Sequence, residues 1–491
     1  MWFLDTRVIL LMCSLLLVIR WLVSRRNKLP PGPWGFPFVG SIPSLLWGLR
    51  GGLGPHQIFR KYAATYGPVF HLRILNKTLV VLNDFAAIKE AFQNPHLNDR
   101  PKTLGTEVLK INGIAWTSGR PWIKLRRFCS TVLRSFGTGT SSFEDKIRRE
   151  AEQLIREYGA FEGVPFDPKP KLGNAVANVI CSVIFGKRYE YSDREFTRLQ
   201  GLLGRNVELL GAGGAVNFFP GLRHLPFLAV DEVLSNSEEI LNFLENIINS
   251  NDTAHGDGSS KFTDAYLGTN PARLSLADDC PQLRGRNIVG TISNLFAAGS
   301  ETTSTTLQWA LLYMVVYPKI QQRVQAEIDT VVGRNRLPCM ADKSGLSFKQ
   351  AVIWEVQRVS NILPLGVPHA AALDTHFRGF LIPKGAFIIS NLWAAFHDPN
   401  IWPEPQEFNP QRFLDDNGKP KRPEEFIPFG IGRRVCIGDH LAKMELFLFF
   451  GYFMHQFTFK KEDNTPPLAM NGRAGITYSP VPFKVCAIPR D

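Results

Sequence analysis

Cysteine is scarce in this chain of 491 residues, which has only seven. Seven thiols over this length are too few for a disulfide-stabilised scaffold, and the odd count fits a reducing compartment. No zinc-finger spacing and no long block of lysine and arginine occur, although the formal net charge is +12. The basic balance therefore favours an anionic membrane surface or an acidic protein partner, and we expect no nucleic-acid partner.

Charged residues make up only 20% of the chain, whereas 44% of the residues are hydrophobic and 36 of them are phenylalanine. This composition excludes a disordered or collagen-like chain and supplies enough apolar side chains for a large core. The length would suit about three average domains or one large enzyme. No internal repeat and no clear boundary divide the body of the sequence.

An apolar run near the N-terminus covers residues 8–19 and continues after Arg20. These twelve residues alone are too short to cross a bilayer, but a run counted from residue 2 to residue 23 is long enough if Arg20 extends toward the head groups. No small-residue cleavage site follows the run, which argues against a removed signal peptide.

Three basic residues and a proline-rich stretch follow this run directly. Because positive flanks stay in the cytosol, we expect the body of the protein on the cytosolic side of the membrane. The sequence thus predicts an uncleaved membrane anchor at 1–24, a basic and proline-rich hinge at 25–40, and a single catalytic domain at 41–491.

Hydrophobic periodicity predicts a body that is mainly α-helical with a small β region. Strand patterns cover residues 68–75, 78–82 and 377–390. Residues 287–317 predict a long helix that is apolar all round and therefore belongs inside a large core. Further helices are predicted at 85–92 with Asp84 as its cap, at 143–158, at 232–250 and at 439–450, and a surface loop at 251–270.

The most specific segment, residues 429–438, places Cys436 among three glycines and two arginines, ahead of a predicted helix. A nearby guanidinium and a helix N-terminus both lower the pKa of a thiol, and glycine allows a flat ligand to approach the backbone. Such a thiolate is a nucleophile or a metal ligand, the alternative being a buried apolar cysteine. A zinc site with His440 lacks a second ligand pair, and a cysteine protease lacks an identifiable histidine.

This segment resembles the haem-binding signature of the cytochrome P450 monooxygenases, F-x-x-G-x-R-x-C-x-G, and the resemblance extends over essentially the whole chain. The matching residues are Phe429, Gly432, Arg434, Cys436 and Gly438. Residues 126–128 and 364–369 look closest to the microsomal branch that oxidises drugs, fatty acids and steroids. The resemblance implies the cytochrome P450 fold, a long central helix over the haem, haem b with Cys436 as the axial thiolate of its iron, and a location at the endoplasmic reticulum membrane.

Residues 298–303 place a glycine and an acid–alcohol pair inside the predicted apolar helix, where both are locally unfavourable. A kinked helix with a solvated glutamate is one explanation. The resemblance implies a catalytic one, in which Gly299 loosens the helix to admit oxygen. Glu301 and Thr302 would then relay protons through water.

Charged residues elsewhere gain roles through the same resemblance. Trp122 and Arg126 are four residues apart on one helix face, and the resemblance implies that both reach a haem propionate. His369 and Arg100 are implied as further propionate partners.

Glu355 and Arg358 carry opposite charges three residues apart, which is ordinarily a surface ion pair. The resemblance instead implies a buried network with Arg412 under the haem. Gln411 stands where that motif more usually has glutamate. Four basic residues are either solvated surface or a face that docks an acidic electron donor: Lys124, Arg127, Arg433 and Lys443.

Seven apolar residues are candidates for the substrate pocket by their position in the resemblance, and they predict a hydrophobic substrate. They are Ile114, Leu209, Phe296, Ala297, Leu365, Val367 and Ile476. Glycines within residues 211–214 either end a helix or let a pocket lid flex.

The leading hypothesis is a monooxygenase that inserts one atom of O2 into a xenobiotic, fatty acid or steroid. Since no G-x-G-x-x-G follows a strand here, electrons would come from NADPH through a separate NADPH–cytochrome P450 reductase, with cytochrome b5 as a possible second donor. One alternative is an oxygen-independent haem-thiolate isomerase or dehydratase of lipid peroxides, against which Glu301 and Thr302 argue. The other is a non-catalytic haem sensor or lipid-binding membrane protein.

Overall fold

The computed structural model describes residues 29–102, 113–137, 141–212, 229–249 and 286–490, together with Met12 and Thr106. Apart from Met12, the predicted anchor lies outside the described residues, as do the start of the hinge, residues 213–214 of the predicted lid and the predicted loop at 251–270. No helix in the described part of the chain combines the length and the apolar character that crossing a bilayer requires.

Helices dominate the described residues, as the sequence predicts. In chain order they are α1 (Ile42–Leu49), α2 (Pro55–Tyr66), α3 (Phe85–Gln93), α4 (Gly119–Gly137), α5 (Ser141–Gly159), α6 (Lys169–Ile184), α7 (Arg194–Ala212), α8 (Val230–Asn249), α9 (Arg286–Val316), α10 (Pro318–Val331), α11 (Ser347–Ser360), α12 (Leu392–Phe396) and α13 (Asp439–Gln456). Short 3₁₀ turns lie at Pro95–Leu97, Met340–Ser344, Pro410–Phe413 and Gly432–Arg434.

Short strands make up the small β region. They are β1 (Val69–Ile74), β2 (Lys77–Leu82), β3 (His369–Ala370), β4 (Thr375–Phe377), β5 (Phe380–Ile382), β6 (Phe387–Ser390), β7 (Phe457–Lys460), β8 (Gly472–Ala474), β9 (Tyr478–Pro480) and β10 (Cys486–Pro489).

The chain folds into two compact units that alternate along the sequence. The first unit holds the described residues up to Pro101 together with Pro364–Trp402 and Gly430–Val435. The second unit holds the described residues of Lys102–Leu363, Pro403–Phe429 and Cys436–Asp491. The single catalytic domain predicted for residues 41–491 stays a prediction.

The first unit is built on a four-stranded sheet in the order β1-β2-β6-β3. The two strands predicted within residues 68–82 are β1 and β2, which pair in antiparallel register, whereas β6 returns from far along the chain and runs parallel to β2. Phe59, Phe70 and Val81 form part of its apolar core. Asp84 caps α3, as predicted, because its carboxylate accepts the Ala87 N–H.

The second unit is organised around α9, a helix of 31 residues whose only charged residues are Arg286 and Glu301. At 1.5 Å per residue α9 is about 46 Å long, and it carries buried side chains such as Phe296 and Trp309. A Cβ at Gly299 would lie 2.6 Å from the Ile180 Cδ1, so any larger residue there would force the Ile180 side chain of α6 to shift.

Helix α13 is longer than the sequence predicts, since it continues from Asp439 to Gln456 instead of ending near Phe450. Every residue from Glu445 to His455 is buried, so packing holds the last turns of the helix. The chain then enters β7 at Phe457, which pairs with β10. Tertiary packing overrides the weak local preference of this phenylalanine-rich segment.

Candidate active site

The turn before α13 presents Cys436. Its backbone N–H donates to the Phe429 carbonyl at 2.9 Å, which closes the turn. Gly430 and Gly432 have φ of +75° and +79°, a region that favours glycine. A Cβ at Gly432 would lie 2.4 Å from the Phe92 carbonyl oxygen, so no larger residue fits there. The glycines in the signature therefore shape the turn that carries the thiol.

The Cys436 side chain is exposed to solvent, yet the protein atoms crowded around it desolvate the thiol and raise its pKa. A hydrogen bond from the Gly438 backbone and the charges of Arg126 and Lys443 oppose that rise, while Asp439 adds to it. The sequence predicted a lowered pKa, which is wrong for the free thiol because desolvation outweighs the cations. A metal ion bound to the sulfur would itself remove the proton.

Trp122 and Arg126 stand on one face of α4 in the second unit. The Arg126 guanidinium lies 5.8 Å from the centre of the Trp122 ring, and Trp122 is buried. Burial lowers the pKa of Arg126, and Cys436 is the strongest of the groups that raise it again. A desolvated guanidinium near an indole ring is suited to bind a carboxylate.

His369 lies in β3 of the first unit, stacked on the Phe92 ring with 4.0 Å between ring centres. Its Nδ1 lies 3.2 Å from the Leu97 carbonyl oxygen. Burial holds the pKa of His369 well below its ordinary value, and the charges of Arg100 and Arg434 lower it further. The ring is therefore neutral, and a carboxylate bound nearby would raise its pKa again.

The two arginines of the first unit are anchored by backbone carbonyls. Arg100 donates through one terminal nitrogen to Val367 at 2.9 Å and to Pro368 at 2.7 Å. Arg434 donates its Nε–H to the Asn98 carbonyl at 3.0 Å. The positive charges of Arg100 and Arg434 both act on His369, so this part of the first unit is electropositive.

Glu301 and Thr302 of α9 are held by separate hydrogen bonds. Thr302 Oγ1 donates to the Ala298 carbonyl at 2.7 Å, one turn back on its own helix. The Glu301 carboxylate accepts the Thr305 hydroxyl at 3.2 Å and the Thr477 hydroxyl at 3.1 Å through the same oxygen, Oε1. The helix is continuous across Gly299, so admission of oxygen there remains a prediction alongside its packing role.

Glu355 and its two arginines form one buried cluster of charges. Arg358 donates its Nε–H to Glu355 at 2.7 Å, and both side chains are 0% exposed. Arg412 donates to the same carboxylate at 3.1 Å, and so does the Asn409 N–H at 2.8 Å. The guanidinium of Arg358 also donates to the Pro405 and Glu407 carbonyls. Every oxygen of this carboxylate is therefore satisfied.

Two further residues near Glu301 and Thr302 were not identified from the sequence. Glu445 of α13 is 1% exposed and accepts the Thr303 hydroxyl at 3.2 Å. Its other oxygen has no hydrogen-bond partner among the described residues, and burial raises the pKa of Glu445 to about 8. The second residue is Thr477, whose contact with Glu301 spans the sequence. A lone acid inside the apolar run 444–454 was the available signal for Glu445.

The seven predicted pocket residues differ in exposure. Ile114 and Phe296 belong to one buried cluster of the second unit. Ile476 is 46% exposed and Leu209 and Ala297 are half-buried in that unit, whereas Val367 is 38% exposed and Leu365 half-buried in the first. Their role as a pocket stays a prediction.

Comparison with known proteins shows which family the chain belongs to. The family model described as Cytochrome P450 matches residues 30–487. Cytochrome P450 2J2 of Homo sapiens is 38% identical, with 97% of this chain and 95% of that protein covered. Cytochrome P450 2U1 of Rattus norvegicus is 36% identical (98% and 95%), and Cytochrome P450 18a1 of Drosophila melanogaster is 35% identical (98% and 91%). The chain belongs to the cytochrome P450 family.

Family membership makes the protein a monooxygenase whose haem iron takes a cysteine thiolate, and the residues present fit that group. Cys436 offers a soft sulfur ligand on an exposed side chain. A Cβ at Gly438, the N-cap of α13, would meet nothing within 4 Å, so the backbone beside the sulfur is open to a flat ligand. The guanidinium groups of Arg126 in the second unit and of Arg100 and Arg434 in the first are each of a kind that binds carboxylates, such as the two that haem carries.

Proposed function

We propose that this chain is a membrane-bound monooxygenase that hydroxylates a hydrophobic xenobiotic, fatty acid or steroid. The overall reaction consumes the substrate, O2, two electrons and two protons, and yields the hydroxylated product and water. The observation that carries the proposal is the exposed Cys436 thiol on a glycine turn at the start of α13. Substrate-facing positions such as Ile476 and Val367 are apolar and exposed, which favours an apolar substrate.

Cys436 would hold the haem iron, and Trp122, Arg126, Arg100, His369 and Arg434 would bind its propionates. When bound, haem with a thiolate ligand activates O2 and inserts one of its atoms into a C–H bond. Glu301 and Thr302 would hold and pass the two protons through water, since a carboxylate and a hydroxyl one residue apart can exchange protons with the same solvent. The fully buried cluster of Glu355, Arg358 and Arg412 would fix the surrounding backbone.

An exposed apolar segment at the start of the first unit supports a membrane location. Trp47 is 76% exposed, Phe38 71%, Trp34 59% and Phe36 50%. Exposed aromatic side chains clustered in so short a segment are typical of a membrane or protein contact. Because this segment directly follows the predicted anchor, we place it at the endoplasmic reticulum membrane, with the body on the cytosolic side.

Electrons would come from NADPH through a separate reductase, and cytochrome b5 is a second candidate donor. Arg127 and Arg433 are exposed, and Lys124 is half-buried. Lys443 forms an ion pair with Asp439 at 2.5 Å. An acidic donor would be steered toward these cations, so its rate of electron transfer should fall with ionic strength.

The spectrum of the reduced, carbon-monoxide-bound protein in detergent tests the cofactor. We expect the far-red-shifted Soret band of thiolate-ligated haem, and Cys436→Ala should lose that band whereas Cys339→Ala, at a half-exposed cysteine, should keep it. Retention of the band in Cys436→Ala would overturn the ligand assignment.

Turnover with NADPH and reductase tests the reaction. A panel of dodecanoic acid, progesterone and 7-ethoxycoumarin samples the three substrate classes. Thr302→Ala should keep the spectrum and divert electrons into hydrogen peroxide, since the hydroxyl is lost from the proton relay. Rearrangement of a lipid peroxide without NADPH would instead favour the isomerase or dehydratase alternative, and haem binding without any turnover would favour a sensor.

A further inference from the structure

The carboxylate of Glu301 is held by a residue that lies far from it in sequence. Thr477 sits in the turn between β8 and β9 and donates its hydroxyl hydrogen to Glu301 at 3.1 Å. Thr477 is only 2% exposed and Glu301 is half-buried, so the bond is shielded from solvent on the side of the threonine. A hydrogen bond to a carboxylate is stronger than an average one.

The turn that carries Thr477 is itself tied down on both sides. The backbone N–H of Ile476, just before it, donates to the Val207 carbonyl of α7 at 3.1 Å. The Tyr478 carbonyl, just after it, accepts the indole N–H of Trp309 on α9 at 2.9 Å. The hydroxyl of Thr477 therefore has a fixed position relative to α9, and it is pre-organised for Glu301.

We infer that Thr477 is a positioning residue that fixes the Glu301 carboxylate for proton delivery. The inference rests on the proposed role of Glu301 in the proton relay and adds a residue to it from outside α9. Thr305, one turn along α9, supplies the second hydroxyl to the same carboxylate oxygen at 3.2 Å. Two hydroxyls on Oε1 leave Oε2 of Glu301 as the oxygen able to serve site water.

The arrangement also connects substrate contact with the acid. Ile476 is 46% exposed and adjoins Thr477 directly, so a substrate that presses on Ile476 would act on the same turn. Because that turn is hydrogen-bonded to α7 and to α9, the Thr477 hydroxyl keeps its position while an apolar substrate occupies the Ile476 side.

Thr477→Val tests the inference, because valine keeps the shape and removes the hydroxyl. In the holoenzyme reconstituted with reductase, NADPH and whichever panel substrate is hydroxylated fastest, we expect about a three- to tenfold fall in product formed per NADPH, matched by hydrogen peroxide. The carbon-monoxide spectrum and the dissociation constant of the substrate should stay unchanged. Thr477→Ser should restore coupling, since it restores the hydroxyl.

Controls separate this inference from the proposed role of Glu301. Thr291→Val removes a buried threonine hydroxyl from α9, the helix that carries Glu301. This hydroxyl donates to the Asn287 carbonyl, and its loss should leave coupling intact. Glu301→Gln should uncouple the enzyme, and Thr477→Val should add little in that background, since both changes act through one carboxylate. Normal coupling in Glu301→Gln would overturn the proton-relay role itself. Uncoupling in Glu301→Gln with normal coupling in Thr477→Val, or with no rescue by serine, would overturn the inference alone.

Discussion

Two buried glutamates of the second unit have nearly the same depth and opposite surroundings. Glu355 on α11 is 0% exposed and receives two guanidinium groups and a backbone N–H. Glu445 on α13 is 1% exposed and receives one threonine hydroxyl. Burial raises the pKa of Glu445 to about 8, so it is largely protonated at neutral pH. At nearly equal depth the two acids differ in what their carboxylates contact: Glu355 has two cations and Glu445 has one neutral hydroxyl.

The largest expected effect comes from neutralising the paired acid. Glu355→Gln leaves the guanidinium of Arg358, which is 0% exposed, without its counter-charge. We expect a loss of about 3–5 kcal/mol in the free energy of unfolding, because an uncompensated buried charge is costly. Chemical denaturation of the holoenzyme, followed by far-UV circular dichroism, measures it.

A surface pair supplies the matched control. Glu239→Gln breaks the ion pair with Arg198, whose side chain is 69% exposed, and solvent-exposed pairs of this kind contribute far less to stability than buried ones. Equal losses in the two variants would show that burial of the Glu355 cluster has no special cost.

Replacing Glu445, the buried acid that has a hydroxyl partner and no cation, should change the pH dependence of stability. The pKa of Glu445 is about 8 in the folded state, against 4.5 for an ordinary glutamate. Between these values the folded state holds one more proton than the unfolded state, so this contribution to stability is full below the lower value and is lost as the pH rises through 8. In Glu445→Gln that decline should be absent, a difference on the order of 3 kcal/mol between pH 5 and pH 9.

Unfolding free energies of wild type and Glu445→Gln at several pH values test this directly. The comparison depends on the slope against pH, so any constant cost of burying the amide drops out. Parallel slopes for the two proteins would mean that Glu445 titrates normally, and the contrast with Glu355 would fail.

The smallest expected effect comes from removing the hydroxyl beside Glu445. Thr303→Val deletes the donor at 3.2 Å, which stabilises the charged form of the acid. The pKa of Glu445 should rise further, and stability above pH 8 should fall by about 1 kcal/mol. Thr303→Ser keeps the donor and serves as the control. If the pH-dependent decline ended at a lower pH in Thr303→Val than in the wild type, the assignment would be contradicted.

Local patterns predicted the elements that local chemistry specifies. The alternation at β1 and β2, the cap at Asp84 and the apolar run of α9 are each readable from a few neighbouring residues. The signature around Cys436 is equally local, and it led to the family.

Features made by distant parts of the chain could not be predicted in this way. The parallel pairing of β2 with β6 joins segments about three hundred residues apart. Gly299 has a packing role because the Ile180 side chain of α6 lies against it. Thr477 contacts Glu301 because the turn between β8 and β9 brings it to α9. The raised pKa of the Cys436 thiol likewise reflects desolvation by surrounding atoms, which spacing along the chain does not reveal.

The aromatic segment that begins at Trp34 has a practical consequence for preparing this enzyme. Trp34, Phe36, Phe38 and Trp47 all lie beyond residue 28, so a chain shortened by its first 28 residues would keep these four exposed rings. Such a shortened chain should still self-associate in plain buffer and scatter light as its concentration rises. Substitutions to glutamate or lysine at these four positions, and not further trimming, are the way to a monodisperse sample.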